Sequence, residues 1–173
     1  MSEDTRLSDR EADRWRQVLR RHGPALLLFA RQWSATRADA EDAVQDGFVN
    51  FWRTRDNARD ELAYLYACVR SAAMDLGRGR RRRAIHERAV PRPMDESAFQ
   101  SDLQNAERAA LLEAAINQLP GDQREVLVMK IWGGLTFAQI GDALGVPMNT
   151  AASRYRYALA RLEAELSEEV SRE

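Results

Sequence analysis

Residues 149–161 read NTAASRYRYALAR, and at helical spacing Thr150, Ser153, Arg154, Tyr157 and Arg161 fall on one stripe. Arginine forks match phosphate oxygens and guanine edges, hydroxyls bond phosphates, and no carboxylate appears before Glu163 to repel a nucleic-acid backbone. Ala151, Tyr155, Ala158 and Leu162 supply the opposite, apolar face. Taken alone, the stripe also fits an amphipathic helix with a solvated arginine face. The preceding turn chemistry favours the DNA reading. Gly145 suits a left-handed turn, Pro147 breaks the chain, and Asn149 and Thr150 form a capping pair. A short helix, a glycine turn and a second helix make the helix-turn-helix pattern, whose second helix enters the major groove.

A second basic feature is the arginine run 78–83, including Arg78, Arg80 and Arg81. By itself such a run says only that a polyanion is near. It follows a helix offering Tyr64, Arg70, Ser71 and Asp75, so an aromatic and polar surface leads into a cationic exit, as single-stranded or melting DNA requires. A third feature has the opposite sign: Asp39, Asp42, Gln45 and Asp46 form the polar face of a helix whose buried stripe is Ala40, Val44, Gly47, Phe48 and Phe51. Enzyme chemistry finds little footing. His22 and His86 stand apart beside arginines and read as surface histidines, with no metal-ligand spacing, nucleophile elbow or phosphate-cradling glycine loop. No catalytic residue, metal or cofactor is expected.

The elements that must position these residues are helical almost throughout, because apolar residues recur at three and four and no period-two run is bounded by hairpin turns. The reading is an all-α protein. A first helix starts at Ser8, capped with Glu11, and stops at Gly23-Pro24; a second carries ALLLFARQW; Thr36 caps a third. A fourth turns Leu62, Leu65, Tyr66, Val69, Ala73 and Leu76 inward and runs into GRGRRRR, where Gly77 and Gly79 invite fraying or a bend. The proline-containing stretch AVPRPMDESAFQSDLQ switches from basic to acidic and has the signature of a flexible linker. Two small helical domains are expected, 1–88 and 105–173, with 89–104 joining them. In the second, Pro120 ends one helix, Gly133-Gly134 ends a central apolar one, and Thr136 caps the short helix before the turn.

Composition is consistent with this. The chain has 173 residues, 31% charged, with a formal net charge of −1, so any polyanion surface must come from how the charges are distributed. Of 26 basic residues only Lys130 is lysine, an excess that fits bidentate phosphate contacts and equally a GC-rich coding sequence. The lone Cys68 excludes an internal disulfide and reads as a small buried hydrophobe. The polar start MSEDTRLSDREADRW and the lack of about 20 consecutive apolar residues imply a cytoplasmic chain without membrane insertion.

In this order, DAEDAVQDGFVNFW, AYLYACVRSAAMDLGRGRRRR, linker and LPGDQREVLVMKIWGGLTFAQIGDALGVPMNTAASRYRYALARL resemble a bacterial extracytoplasmic-function sigma factor of the sigma-70 family. The resemblance covers nearly the whole chain. It implies a region 2 helical bundle and a region 4 helix-turn-helix domain that bind core RNA polymerase, through the β′ clamp helices and the β flap, and read promoter DNA both as duplex and as melted single strand. Asp39, Asp42, Gln45 and Asp46 then correspond to the β′ contact. The loop 53–61 takes the place of the −10 specificity loop, with Asn57 as base reader, and Tyr64, Arg70, Ser71, Asp75 and the arginines Arg78, Arg80 and Arg81 serve −10 recognition and melting. Asn149, Thr150, Ser153, Arg154, Tyr157 and Arg161 read the −35 element. Ser71 stands where asparagine is usual, and Ala152 and Tyr157 occupy usually basic positions. An anti-sigma factor is a further implied partner. The competing reading is a stand-alone helix-turn-helix regulator that binds duplex DNA as a dimer; it would use the N-terminal half for a ligand pocket or dimer interface rather than for an acidic helix.

Overall fold

The computed structural model describes residues 3–87 and 112–170, with side chains over 11–56, 58–80 and 112–167. The expected linker 89–104 and the side chains of Asn57, Arg81 and His86 lie outside what is described. Three long helices make the N-terminal half: α1 (Glu3–Ala30), α2 (Arg37–Thr54) and α3 (Glu61–Glu87), with a 3₁₀ turn at Arg55–Asn57. The C-terminal half has α4 over 112–118, then α5 (Gly121–Ile131), α6 (Phe137–Leu144) and α7 (Met148–Val170). No strand occurs among the described residues.

Gly23-Pro24 does not end the first helix, which runs through Pro24 as one rod and begins at Glu3 rather than at Ser8. A side chain before proline clashes with the proline ring in the helical region, and Gly23 has no Cβ to clash. The carbonyl of Arg20, which loses its partner at Pro24, belongs to an exposed residue beside an exposed proline, so water can satisfy it. Continuity then serves packing: Leu26, Phe29 and Ala30, beyond the proline, are fully buried. Gly77 and Gly79 likewise do not interrupt α3. At Gly77 a Cβ would lie 2.9 Å from the Trp33 carbonyl oxygen, so the missing side chain admits a close approach.

The expected inward stripes of α2 and α3 meet face to face. Ala40, Gly47 and Phe51 pack against Leu65, Tyr66, Val69 and Ala73, all buried. Trp15 of α1 closes this bundle edge-on to Phe51, ring centroids 4.6 Å apart. Burial of each large side chain stabilises by roughly 1.5–3 kcal/mol, and the cluster does not stop at the bundle. It continues through Phe29 and Tyr66 into Val128, Met129, Leu135 and Ile140 of the C-terminal half. The halves therefore dock, α1 on α5 and α3 on α6. A smaller core of Ala115, Leu119, Leu127, Ala158 and Leu162 holds α4, α5 and α7 together.

Candidate nucleic-acid interface

The helix-turn-helix forms as its residues dictate. Thr136, extended at φ −74° and ψ 159°, caps α6: its hydroxyl accepts the Gln139 N–H while the Gln139 side chain accepts the Thr136 N–H. Gly145 ends α6 in the left-handed region at φ 67°, ψ 36°, a conformation that costs other residues a Cβ clash. The carbonyl of Pro147 takes the N–H groups of Thr150 and Ala151 at 2.9 and 3.1 Å. Asn149 and Thr150 consequently lie in the first turn of α7 and are not its caps. The Phe137 and Tyr155 rings, 5.6 Å apart, pin α6 to α7. Lys130 secures the approach to α6, donating to the Leu135 carbonyl at 3.0 Å and standing 4.8 Å from the Phe137 ring centre.

Ala151, Ala158 and Leu162 face inward as expected. The outward stripe is narrower than expected. Tyr157, 60% exposed, and Arg161 project into solvent together with Asn149. Thr150 and Ser153 are half-buried, and the Ser153 hydroxyl donates to the Asn149 carbonyl at 2.9 Å. Arg154 leans back on α5 and pairs with Asp122 at 3.2 Å. Its place at the margin of the inner face brings it within reach of that carboxylate. Arg156, exposed one residue before Tyr157, adds a cation that the stripe omitted because it lies between the two faces.

On α2 the acidic row is also smaller by one. Asp39 is buried at 6% exposure: its carboxylate accepts the Thr36 N–H at 3.0 Å, its own N–H donates to the Thr36 hydroxyl at 3.2 Å, and Arg80 pairs with it. Its position three residues after Thr36 is the capping-box spacing, a signal the sequence carried. Asp42, Gln45 and Asp46 are exposed. One and two turns further, Val49 and Trp52 are exposed at 44% and 38%, and with Trp15, Leu19 and Phe48 they line an apolar groove between α1 and α2. Sequence reading missed them because Trp52 adjoins the buried Phe51 and reads as core.

On α3, Tyr64, Ser71, Asp75 and Arg78 recur at helical spacing on one face. Tyr64 is half-buried, its hydroxyl 3.0 Å from that of Thr54; Ser71 is exposed, and Asp75 pairs with Arg78. Arg80 turns to Asp39 instead. Arg70 departs most. It lies off this face, beside the Trp33 ring at 5.8 Å, and its Nε and Nη2 donate to the two carboxylate oxygens of Glu125 on α5, each at 3.2 Å. Burial raises the Glu125 carboxyl above the usual carboxylate range, more than the guanidinium lowers it. Before α3, Asp60 caps the helix by accepting the Ala63 N–H at 2.9 Å, and its other oxygen accepts Nε2 of Gln139 on α6, also at 2.9 Å. Thr54, Ala58, Arg59, Asp60 and Tyr64 line a cavity here, with Asp142 of α6 as part of its wall.

His22 is half-buried rather than on the surface. Desolvation, then the charge of Arg21, hold its imidazole below the usual 6.5 against a hydrogen bond with the Gly133 backbone. Cys68 is buried as expected, and burial raises its thiol. Among the described residues no group of three His, Cys, Asp or Glu could hold a metal ion, and no helix is long and apolar enough to cross a membrane.

The fold and site together define a two-part helical DNA-binding protein ending in a helix-turn-helix. Residues 18–83 match Sigma-70 region 2, and residues 109–162 match Sigma-70 region 4. The ECF RNA polymerase sigma factor SigM of Mycobacterium tuberculosis is 33% identical over 150 residues, 84% of this chain and 74% of the relative. SigL of the same species is 28% identical over 162 residues, 91% and 92% of the two chains. A solved structure of the sigma factor RpoE from Bartonella quintana, in complex with the anti-sigma factor NepR, superposes with a TM-score of 0.65 at 26% identity, covering 88% of this chain and 96% of that one. The chain belongs to the sigma-70 family, as an extracytoplasmic-function RNA polymerase sigma factor.

Proposed function

We propose that residues 1–88 and 105–173 divide the work of initiation between them, the first binding core polymerase and capturing the melted −10 strand, the second reading the −35 duplex. The observation that carries this is one chain presenting the acidic row Asp42, Gln45 and Asp46 on α2 and the Tyr157–Arg161 surface on a helix-turn-helix. The acidic row meets the β′ clamp helices, and Val49 and Trp52 extend that contact with apolar surface. Part of the C-terminal domain meets the β flap. Tyr64, Ser71, Asp75 and Arg78 face the melted strand, Asn57 and Arg81 take part in binding it, and Arg70 joins them when its partner Glu125 is withdrawn. Asn149, Thr150, Ser153, Arg156, Tyr157 and Arg161 follow the upstream groove; Arg154 reaches DNA by exchanging Asp122 for a phosphate or base edge. Asp39 orders the start of α2 and Arg80 holds it, so neither contacts a partner directly. The protein works in the cytoplasm, without catalytic activity of its own, and is held in check by an anti-sigma factor, as the complex of the Bartonella relative suggests.

Run-off transcription with bacterial core polymerase on a fragmented genomic library, with start sites mapped by sequencing, tests this. Starts at a shared two-element promoter only when the protein is present are expected. Retention of discrete duplex fragments by the protein alone, with no new starts, would favour the dimeric regulator instead.

A further inference from the structure

The chain from Arg55 to Glu61, which joins α2 to α3, is tied at both ends to one turn of α1. Arg55, the first residue of the 3₁₀ turn, donates through Nη2 to the Glu11 carboxylate at 2.7 Å and through Nη1 to the Trp52 carbonyl, and its guanidinium lies 3.6 Å from the centre of the Trp52 ring. At the other end Arg14 pairs with Glu61, the first residue of α3. Glu11 and Arg14 are three residues apart in α1 and so share one face of it. Both precede the span 18–83 that matches region 2. From this geometry we infer that Glu11 and Arg14 are positioning residues: they hold the loop in the shape on which base choice at the −10 element depends, Glu11 through Arg55 and Arg14 through Glu61. The inference rests on the sigma reading just proposed, in which Asn57 of this loop takes part in binding the melted strand.

The two ties differ in weight. The Arg55 side chain is only 14% exposed, so without Glu11 its charge loses a partner where water replaces it poorly. Arg14 and Glu61 are 58% and 31% exposed, and a pair so open to solvent contributes little by itself. Glu11 therefore carries most of the effect. It is free to do so because α1 begins at Glu3, which puts Glu11 well inside the helix rather than in a capping box with Ser8. The turn itself has few other restraints. Thr54, at its start, makes no side-chain cap, and the Ala58 N–H closes the turn by donating to the Arg55 carbonyl at 2.8 Å. Asn57 lies between these two residues, so any rotation of Arg55 displaces it.

Glu11→Ala tests the positioning without threatening the fold, because the Glu11 side chain is 40% exposed and alanine is the better helix former. The full chain, with core polymerase saturating, is assayed by run-off transcription on templates built from a start site it uses, the −10 positions randomised in one set and the −35 positions in another. Glu11→Ala should reduce the base preference at the −10 position that Asn57→Ala alters by about fivefold, the effect of losing one hydrogen bond, and leave the −35 preference as it is. In the free protein it should speed amide exchange at Ala58, followed by NMR, by a similar factor. Arg14→Ala should act in the same direction and less. In a chain already carrying Arg55→Ala, Glu11→Ala should add nothing, since it acts through Arg55. An unchanged −10 preference, an equal loss at both elements, or a full additional effect in the Arg55→Ala chain overturns the inference. If Asn57→Ala leaves the −10 preference of the parent intact, the −10 reading of this loop fails instead, and exchange at Ala58 alone decides whether α1 holds the loop: faster exchange with Glu11→Ala supports it, and an unchanged rate overturns it.

Discussion

Gly47→Ala should destabilise the protein although alanine is the better helix former. The reason is the crossing of α2 and α3: a Cβ at Gly47 would lie 2.6 Å from Val69 Cα, 2.8 Å from its nitrogen and 2.8 Å from its Cγ2. Ordinary carbon contacts need about 3.5–4.0 Å, so the helices must part by about 1 Å, and two of the three obstructing atoms are backbone that no rotamer change can move. Overpacking of this kind costs roughly 1–3 kcal/mol, and a backbone clash belongs at or beyond the upper end. Helix propensity returns about 1 kcal/mol. The balance is a loss of about 2 kcal/mol, which for a chain of this size lowers Tm by about 4–8 °C. Gly121→Ala is the control: a Cβ there meets nothing within 4 Å at the start of α5, and the change should raise Tm by about 1–3 °C. Circular dichroism melts of the two variants beside the parent give the answer. Equal stabilisation by both would refute the close crossing.

Three further outcomes follow from the site. Asp39→Ala should lower Tm by about 2–4 °C, the loss of one cap, with little direct effect on core polymerase affinity; reversing Asp42 and Asp46 to arginine should do the opposite, leaving Tm near the parent value and weakening core binding about tenfold or more in a fluorescence-anisotropy titration. Arg161→Ala should weaken duplex binding by a similar factor on all sequences and flatten its salt dependence, whereas Arg154→Ala should cost about 1–3 kcal/mol on the preferred upstream element; equal losses on every sequence would make Arg154 a phosphate contact. His22 should titrate below 6.5 by NMR. Because its pKa is lowered by folding, its stabilising contribution is complete above pH 6.5 and is lost as pH falls through the folded value, so Tm should decline on acidification and His22→Gln should blunt that part of the decline.

Local rules reached the elements well and partner choice poorly. The capping box at Thr136, the left-handed Gly145 and the inward faces of α2, α3 and α7 followed from spacing and turn chemistry, which act over a few residues. Gly23-Pro24 is no stop: each residue alone is a helix breaker, but the glycine before the proline is what lets the helix pass through it. Periodicity sets Asp39 in the exposed acidic row although its spacing from Thr36 is that of a capping box, and its second partner, Arg80, lies 41 residues away. Spacing puts Arg70 among the groups available to DNA and does not reveal its partner Glu125, 55 residues distant in the other half. No periodicity reports a pairing of that kind. Val49 and Trp52 were lost for a different reason: an apolar residue on a helix is read as core unless the neighbouring helix is known to leave it bare.

The near-absence of lysine has a practical consequence. Lys130 is the one lysine of the sequence, and its ammonium is engaged with the Leu135 carbonyl and the Phe137 ring at the entrance to α6. Acylating reagents directed at side-chain amines therefore have a single address on this protein, and it sits at a joint of the helix-turn-helix. The rate at which such a reagent modifies Lys130 becomes a one-atom report on how often that joint loosens, readable by mass spectrometry in the free chain and again once DNA or polymerase is bound.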